Sequence, residues 1–246
     1  MVAVMNFNER FQVTSKSHNG HNQPLISARA LTRIYHLPSS QVVGVNAIDM
    51  DISAGQLVVL KGNSGSGKST LLSLLAGLDH PTSGTLVVGG VDLTTASDKD
   101  LTQFRREKIG MVFQSFNLLP TLDILENACL PAFLAGKPAV RTREKGKDLL
   151  LWLGLESRLN HLPAQLSGGE MQRTAIARAL INDPDIILAD EPTGNLDSRN
   201  AENVIELLAK LHKEFQRTII IATHSSLADP LATLRVLMKD GKISIS

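Results

Sequence analysis

Cysteine, tyrosine and tryptophan each occur once in the 246 residues, and aromatic side chains make up only 4% of the chain. The lone Cys129 excludes an internal disulfide and any zinc site built on several thiolates, as expected of a chain working in a reducing compartment. Charge of one sign is lacking as well: 25 Lys and Arg face 24 Asp and Glu, a net charge of +1. That balance supplies no global field to gather nucleic acid or an anionic membrane surface. Long hydrophobic runs are missing too. The best of them, such as LLSLLAGL from Leu71, break after eight residues, well short of the roughly 20 needed to cross a bilayer. The opening MVAVMNFNERFQ has no apolar core behind a basic end, so no secretory signal is expected. The chain is expected to stay in the cytosol and to form no membrane path by itself.

What is present suits one large α/β domain or two small ones. Residues 1–24 are polar and aperiodic and read as a flexible extension; His18 and His21 within it are too few ligands to close a metal site. From Leu25 the texture changes to short β-rich runs, LISARALTRIY, VVGVNAIDMDI and QLVVLKG. KSTLLSLLAGL then has helical spacing that stops near Gly77 and Pro81. GTLVVGGVDL predicts a strand pair, Asp98 to Lys108 a polar helix, and IGMVF a buried strand. Residues from Ser115 to Leu180 read as mostly helical, and strand texture returns in DIILAD and TIIIATH. Between those two strands Val204, Ile205, Leu208 and Leu211 share one face of a helix. The organisation expected is a domain over 25–246 of alternating strands and helices, carrying a helical insert at about 115–180.

Two glycine-rich stretches carry chemistry. GNSGSGKST, comprising Gly62, Asn63, Ser64, Gly65, Ser66, Gly67, Lys68, Ser69 and Thr70, fits G-x-x-x-x-G-K-[ST] between an apolar strand and a helix. Its glycines let successive backbone N–H groups turn inward on phosphate, Lys68 reaches the β and γ phosphates, and Ser69 can bind Mg²⁺. An ordinary Gly and Ser loop is the plain alternative, against which the Lys-Ser register and both flanks argue. IILADE supplies the matching acids: Asp190 can hold the Mg²⁺ shell and Glu191 can polarise a water, the two carboxylates that phosphoryl transfer requires. The second stretch, QLSGGEMQR from Gln165 to Arg173, reads as a capping box, Ser167 with Glu170, opening a helix whose Met171, Ile176, Ala179 and Leu180 lie on one stripe. With Gly168 and Gly169 at its mouth, that helix presents backbone N–H groups at its positive end, a second anion site.

LSGGE resembles the signature motif of the ATP-binding cassette (ABC) ATPases, and the resemblance runs from about Leu25 to Ile243. The motifs stand in order: Tyr35 as the adenine-stacking aromatic, GNSGSGKST, Gln114 in MVFQ, LSGGEMQR, LADEP, GNLD ending at Asp197, and ATH ending at His224. The resemblance implies a P-loop NTPase fold with a RecA-like core, an antiparallel β subdomain and an inserted helical subdomain. It also accounts for two cradles. In such proteins two cassettes pack head to tail, so Ser167, Gly168 and Gly169 of one copy would close on ATP held by the loop of the other, making a homodimer around two MgATP. By the same resemblance Gln114 touches Mg²⁺ and the attacking water, Glu191 is the general base, His224 holds the γ-phosphate and aligns the water, and Asp197 communicates across the dimer. The plain alternatives are a polar strand end for Gln114, a structural role for His224, and a core or surface tyrosine for Tyr35.

A finer resemblance, in LAGLDHPTSG, RREKIGMVFQSFNLLPTLDILENACLP, LPAQLSGGEMQRTAIARAL and LADEPTGNLDS, is to the branch serving lipoprotein-releasing and macrolide-exporting transporters. It implies an ATPase subunit at the cytoplasmic face of the inner membrane, peripheral to an integral membrane permease on separate chains. No nucleic-acid partner is expected. Phe116, Leu118 and Leu119 lie where such a permease would dock, with core burial the alternative for each. The sequence departs from the branch at Ser225, where Asp is usual, and at Leu234-Arg235, where the branch has an Asp-Arg pair. A soluble cassette acting on DNA or ribosomes, and a P-loop kinase for small molecules, are the competing functions.

Overall fold

A computed structural model describes residues 23–245; His18, His21 and nearly all of the extension predicted for 1–24 lie outside them. The described residues build two sheets. An antiparallel one holds β1 (Ile26–Leu37), β2 (Ser40–Ile52), β4 (Ser83–Val88) and β5 (Val91–Asp92), in the order β2-β1-β4-β5. The other holds β3 (Leu57–Lys61), β6 (Ile109–Phe113), β7 (Ile186–Asp190), β8 (Thr218–Thr223), β9 (Leu234–Lys239) and β10 (Lys242–Ile245), in the order β10-β9-β3-β8-β7-β6. From β9 to β6 every pairing is parallel, and β10 alone runs antiparallel.

The parallel strands are continuous apolar runs because both their faces are covered. Side-chain alternation divides them between two cores. Val58, Leu60, Leu188, Ile220 and Ala222 face the antiparallel sheet and helix α1 (Lys68–Leu75), where Leu71, Leu72, Leu74 and Leu75 are buried. Leu57, Val59, Ile187, Ala189, Ile219 and Ile221 face a layer of helices on the other side. Each fully buried Leu or Ile there stabilises the fold by roughly 1.5–3 kcal/mol relative to exposure. The expected helix over Asp98–Lys108 is present as α2, opened by the Ser97 hydroxyl, which accepts from the Asp100 N–H.

Between β6 and β7 the chain forms α3 (Ile124–Leu134), α4 (Ala139–Trp152) and α5 (Gly168–Leu180). Asp123 and Glu126 make a full capping box at the start of α3. Cys129 is buried there against Gly146 of α4, and burial pushes its thiol up to about 11, so it is an inert core group. The last long helix, α6 (Ser198–Phe215), buries Val204, Ile205, Leu208 and Leu211 together, as their spacing implied.

Of the four residues expected on one stripe of α5, Ile176 and Ala179 are buried, Leu180 packs against the same core half-buried, and Met171 is half-buried; Gln172, Thr174, Ala175 and Ala177 are buried as well. The helix is enclosed on most sides by β6, α3, α4 and α6, so small and polar residues line its faces instead of a leucine seam.

Candidate functional site

The stretch Gly62–Thr70 runs from just past the C-terminal end of β3 into the first turn of α1. Gly67 has φ +104, a conformation open to glycine, and a Cβ there would lie 2.0 Å from the carbonyl oxygen of Gly44. The loop is therefore pressed onto the antiparallel sheet and curls as phosphate binding requires. Lys68, only 6% exposed, donates to the carbonyls of Gly62 at 2.8 Å and Asn63 at 3.3 Å. Its ammonium lies 3.5 Å from Glu191 Oε1, so a buried cation is compensated by a carboxylate.

Glu191 follows β7 directly and holds φ +44, a left-handed conformation that costs a non-glycine residue on the order of 1–3 kcal/mol. Its neighbours hold it there. The Glu191 N–H donates to Ala222 O at 2.8 Å, and Glu191 Oε2 accepts the His224 N–H at 3.3 Å and sits 3.1 Å from His224 Nδ1. One carboxylate thus spans from the lysine of β3–α1 to the histidine after β8. The His224 ring itself is exposed, with 70% of its side-chain surface open.

Asp190, at the last position of β7, is the metal candidate. Burial pushes its carboxyl above the usual range, with the Ser69 hydroxyl bonded to it and pulling the other way. Its Oδ1 is buried without a hydrogen-bond partner. An orphaned carboxylate oxygen beside a hydroxyl is an oxygen-donor pair of the kind Mg²⁺ prefers. Gln114 lies just past β6 and is paired with Asn195: Asn195 Nδ2 donates to the Gln114 backbone carbonyl at 3.0 Å, and Gln114 Nε2 to Asn195 Oδ1 at 3.4 Å. A Cβ on Gly194 would stand 2.6 Å from Gln114 Nε2, so only glycine at 194 lets the amide lie there.

Tyr35 comes from the other sheet. A Cβ on Gly44 would meet Thr70 Cγ2 at 2.8 Å and Tyr35 Cε2 at 3.1 Å, which puts the tyrosine ring beside the end of the phosphate loop.

The second glycine stretch is anchored elsewhere, on α6 and Arg158. Ser167 caps α5, its hydroxyl accepting from the Glu170 N–H, while Glu170 Oε2 accepts the Ser167 N–H at 2.8 Å. That backbone bond is the main cause holding the Glu170 carboxyl down at about 2, and Arg158 Nε, 3.0 Å from Oε1, adds to it. Gly169 is buried, and a Cβ on it would fall 2.3 Å from Asn200 Oδ1. Its lack of a side chain lets α6 approach this closely. Asp197 caps α6 by accepting the Asn200 N–H at 2.9 Å and the Asn200 amide at 2.6 Å, which hold its carboxyl below the usual range.

Sequence reasoning passed over Gln172 and Asn127. Gln172 is fully buried and donates to Pro192 O at 2.7 Å, tying α5 to the segment after Glu191. Asn127, also fully buried, bonds the backbone of Leu119, Leu122 and Asp123 and so shapes the turn after Gln114. Within that turn Leu119 is exposed while Phe116 and Leu118 are half-buried. A groove of about 520 Å³ opens nearby, lined by Leu78, Met111, Phe113, Pro131, Leu134 and Arg178 among others.

A sequence model of the ABC transporter family matches residues 45–194. An uncharacterized ABC transporter ATP-binding protein of Thermotoga maritima is 47% identical over 86% of this chain and 90% of its own length. The lipoprotein-releasing system ATP-binding protein LolD of Idiomarina loihiensis is 44% identical over 87% of this chain and 94% of its own. The macrolide export ATP-binding/permease protein MacB of Burkholderia lata is 43% identical over 90% of this chain, which spans only 32% of that longer protein. Among solved structures, the dimer of an ATP-binding cassette in a post-hydrolysis state, bound to ADP and Pi, superposes with a TM-score of 0.83 at 38% identity, covering 89% of this chain and 96% of that one.

Proposed function

The chain belongs to the ABC transporter family, and from that premise we propose that two copies close head to tail on two MgATP and that their closure drives a membrane permease. The chain is the nucleotide-binding, ATP-hydrolysing subunit of that family, of the LolD and MacB type. The observation that carries the catalytic assignment is the convergence of Lys68, Asp190, Glu191 and His224 at the ends of β3, β7 and β8.

Water attacks the γ-phosphorus in line, the bond from that phosphorus to the β-γ bridging oxygen breaks, and ADP and phosphate leave. Glu191 takes the proton of the attacking water, and His224 keeps that carboxylate aimed. Lys68 and the loop N–H groups offset the charge on the phosphate oxygens. Ser69, Asp190 and Gln114 are the residues that would hold Mg²⁺, whose charge neutralises the β and γ phosphates when bound. Ser167, Gly168 and Gly169 at the start of α5 reach the γ-phosphate from the partner copy, and Asp197 lies toward the dimer seam. Tyr35 stacks on the adenine.

Among the described residues no helix is long and apolar enough to cross a membrane. We place the subunit at the cytoplasmic face of the inner membrane, peripheral to permease chains whose contact is the groove lined by Leu78, Phe113 and Leu134 and the exposed Leu119. The domain assignment at 25–246 and its helical part at about 115–180 belong to the same reading. Purification of Glu191→Gln protein with ATP from detergent-solubilised membranes tests it. A stoichiometric integral membrane protein is the expected companion, whereas DNA, ribosomes or an empty eluate would move the protein to the soluble cassettes.

A further inference from the structure

We infer that Asp79 and Arg33 are positioning residues for the base of the nucleotide, clamping the Tyr35 ring so that a single aromatic face is held ready for adenine. This rests on the reading of Tyr35 as the base-stacking residue.

Three contacts make the clamp. Tyr35 Oη donates to Asp79 Oδ2 at 2.8 Å. Arg33 grips the same carboxylate with two nitrogens, Nε at 2.9 Å from Oδ2 and Nη2 at 2.8 Å from Oδ1. The Arg33 guanidinium carbon then lies 4.5 Å from the centroid of the Tyr35 ring, covering one face. The Arg33 and Asp79 side chains are 24% and 21% exposed, so the pair is shielded more than an ordinary surface ion pair. A fourth group, the His80 N–H, donates to Asp79 Oδ1 at 2.8 Å and orients the carboxylate from behind.

A tyrosine side chain has two rotatable angles before its hydroxyl. A bond at Oη, a cation on one face and Gly44 against the Cε2 edge leave little of that freedom. The base then meets a ring already immobilised, and binding is spared the ordering of one side chain.

The position of Asp79 adds a link to the phosphates. Helix α1 begins in the phosphate loop and is closed just past its end by Gly77, φ +62, with the Leu78 N–H donating to Ser73 O and the Gly77 N–H to Leu74 O. That pair of hydrogen bonds is a Schellman ending, which sets the direction of the chain after it. The Asp79 N–H also reaches Ser73 O, at 3.3 Å. One short helix therefore carries the phosphate cradle at its N-terminus and, just past its C-terminus, the carboxylate that holds the base platform.

Calorimetric titration in magnesium buffer with two probes, ATP and inorganic triphosphate, tests the clamp. Asp79→Ala and Tyr35→Phe, the latter keeping the ring and losing only its tether, are each expected to weaken ATP roughly two- to tenfold, the worth of one immobilised side chain. Neither is expected to change triphosphate, and the double variant should be no weaker than either single one. Unchanged ATP affinity, an equal loss for both probes, or additive losses in the double variant would overturn the clamp. Tyr35→Ala separates this from the underlying reading. If it alone weakens ATP, adenine stacking stands and the clamp fails; if it too binds ATP like the unaltered protein, both fail.

Discussion

Glu191 and His224 face each other across the ends of two neighbouring parallel strands, with Glu191 Oε2 3.1 Å from the ring Nδ1 and 3.3 Å from the backbone nitrogen. Because the same carboxylate also touches Lys68, its orientation is set from both sides. Glu191→Gln keeps the shape and removes the proton acceptor. Turnover is expected to fall about 10²–10⁴-fold, the range of general-base catalysis, with ATP affinity retained. Steady-state phosphate release beside equilibrium ATP binding checks it, and a variant with ordinary turnover would take the base role from Glu191.

Lys68→Ala acts at the other end of that pair. It removes a charge-assisted donor from the phosphate cradle and leaves Glu191 without its cation. The first effect is worth about 1.5–3 kcal/mol, so ATP should bind roughly 10–100-fold more weakly. Titration with a fluorescent ATP analogue reads this directly, and undiminished affinity would remove Lys68 from the site.

Glu170 gives a pH signature. Its folded-state value of about 2 lies below the ordinary 4.5, chiefly through the Ser167 N–H. A depressed carboxyl stabilises the fold fully above the ordinary value and loses that contribution as pH falls toward the folded one. The urea midpoint of the unaltered protein should exceed that of Glu170→Gln near neutrality, and the gap should close as pH falls from about 5 toward about 2. Ser167, whose N–H makes the main contact, is exposed, and the Arg158 side chain is 42% exposed, so solvent screening should keep the gap to about 1 kcal/mol. A gap that does not change with pH would mean the cap works without its charge.

Gly110 tests the packing beneath the site. A Cβ there would lie 2.6 Å from the backbone oxygen of Ala179 in α5 and 3.0 Å from Pro184. A backbone atom cannot step aside as a side chain can. Gly110→Ala should cost about 1–3 kcal/mol, the usual penalty of overpacking, read as a lower urea midpoint at constant slope.

The parallel core and the phosphate loop were legible because their signals are local: apolar runs such as IILAD need two covered faces, and glycines ahead of Lys-Ser need a tight curl. The helix Asp98–Lys108 and the Ser167–Glu170 cap were legible for the same reason. What could not be read depends on partners distant in sequence. The left-handed turn at Glu191 is held by Ala222 and His224, and Gly194 is needed only because Gln114 lies over it. Gln172 looks like any polar helix residue until Pro192 is brought beside it. The spacing of Met171, Ile176, Ala179 and Leu180 shows one stripe of α5 but not that the helix is enclosed on most sides, which needs β6, α3, α4 and α6.

In the proposed dimer one chain supplies both halves of a shared nucleotide site. Light scattering on Glu191→Gln protein with magnesium and ATP, followed by counting the bound nucleotide, tests it most directly. A particle of twice the monomer mass holding two ATP is expected, and it should be lost when Ser167→Arg is added. A monomer that binds one ATP and never pairs would contradict it.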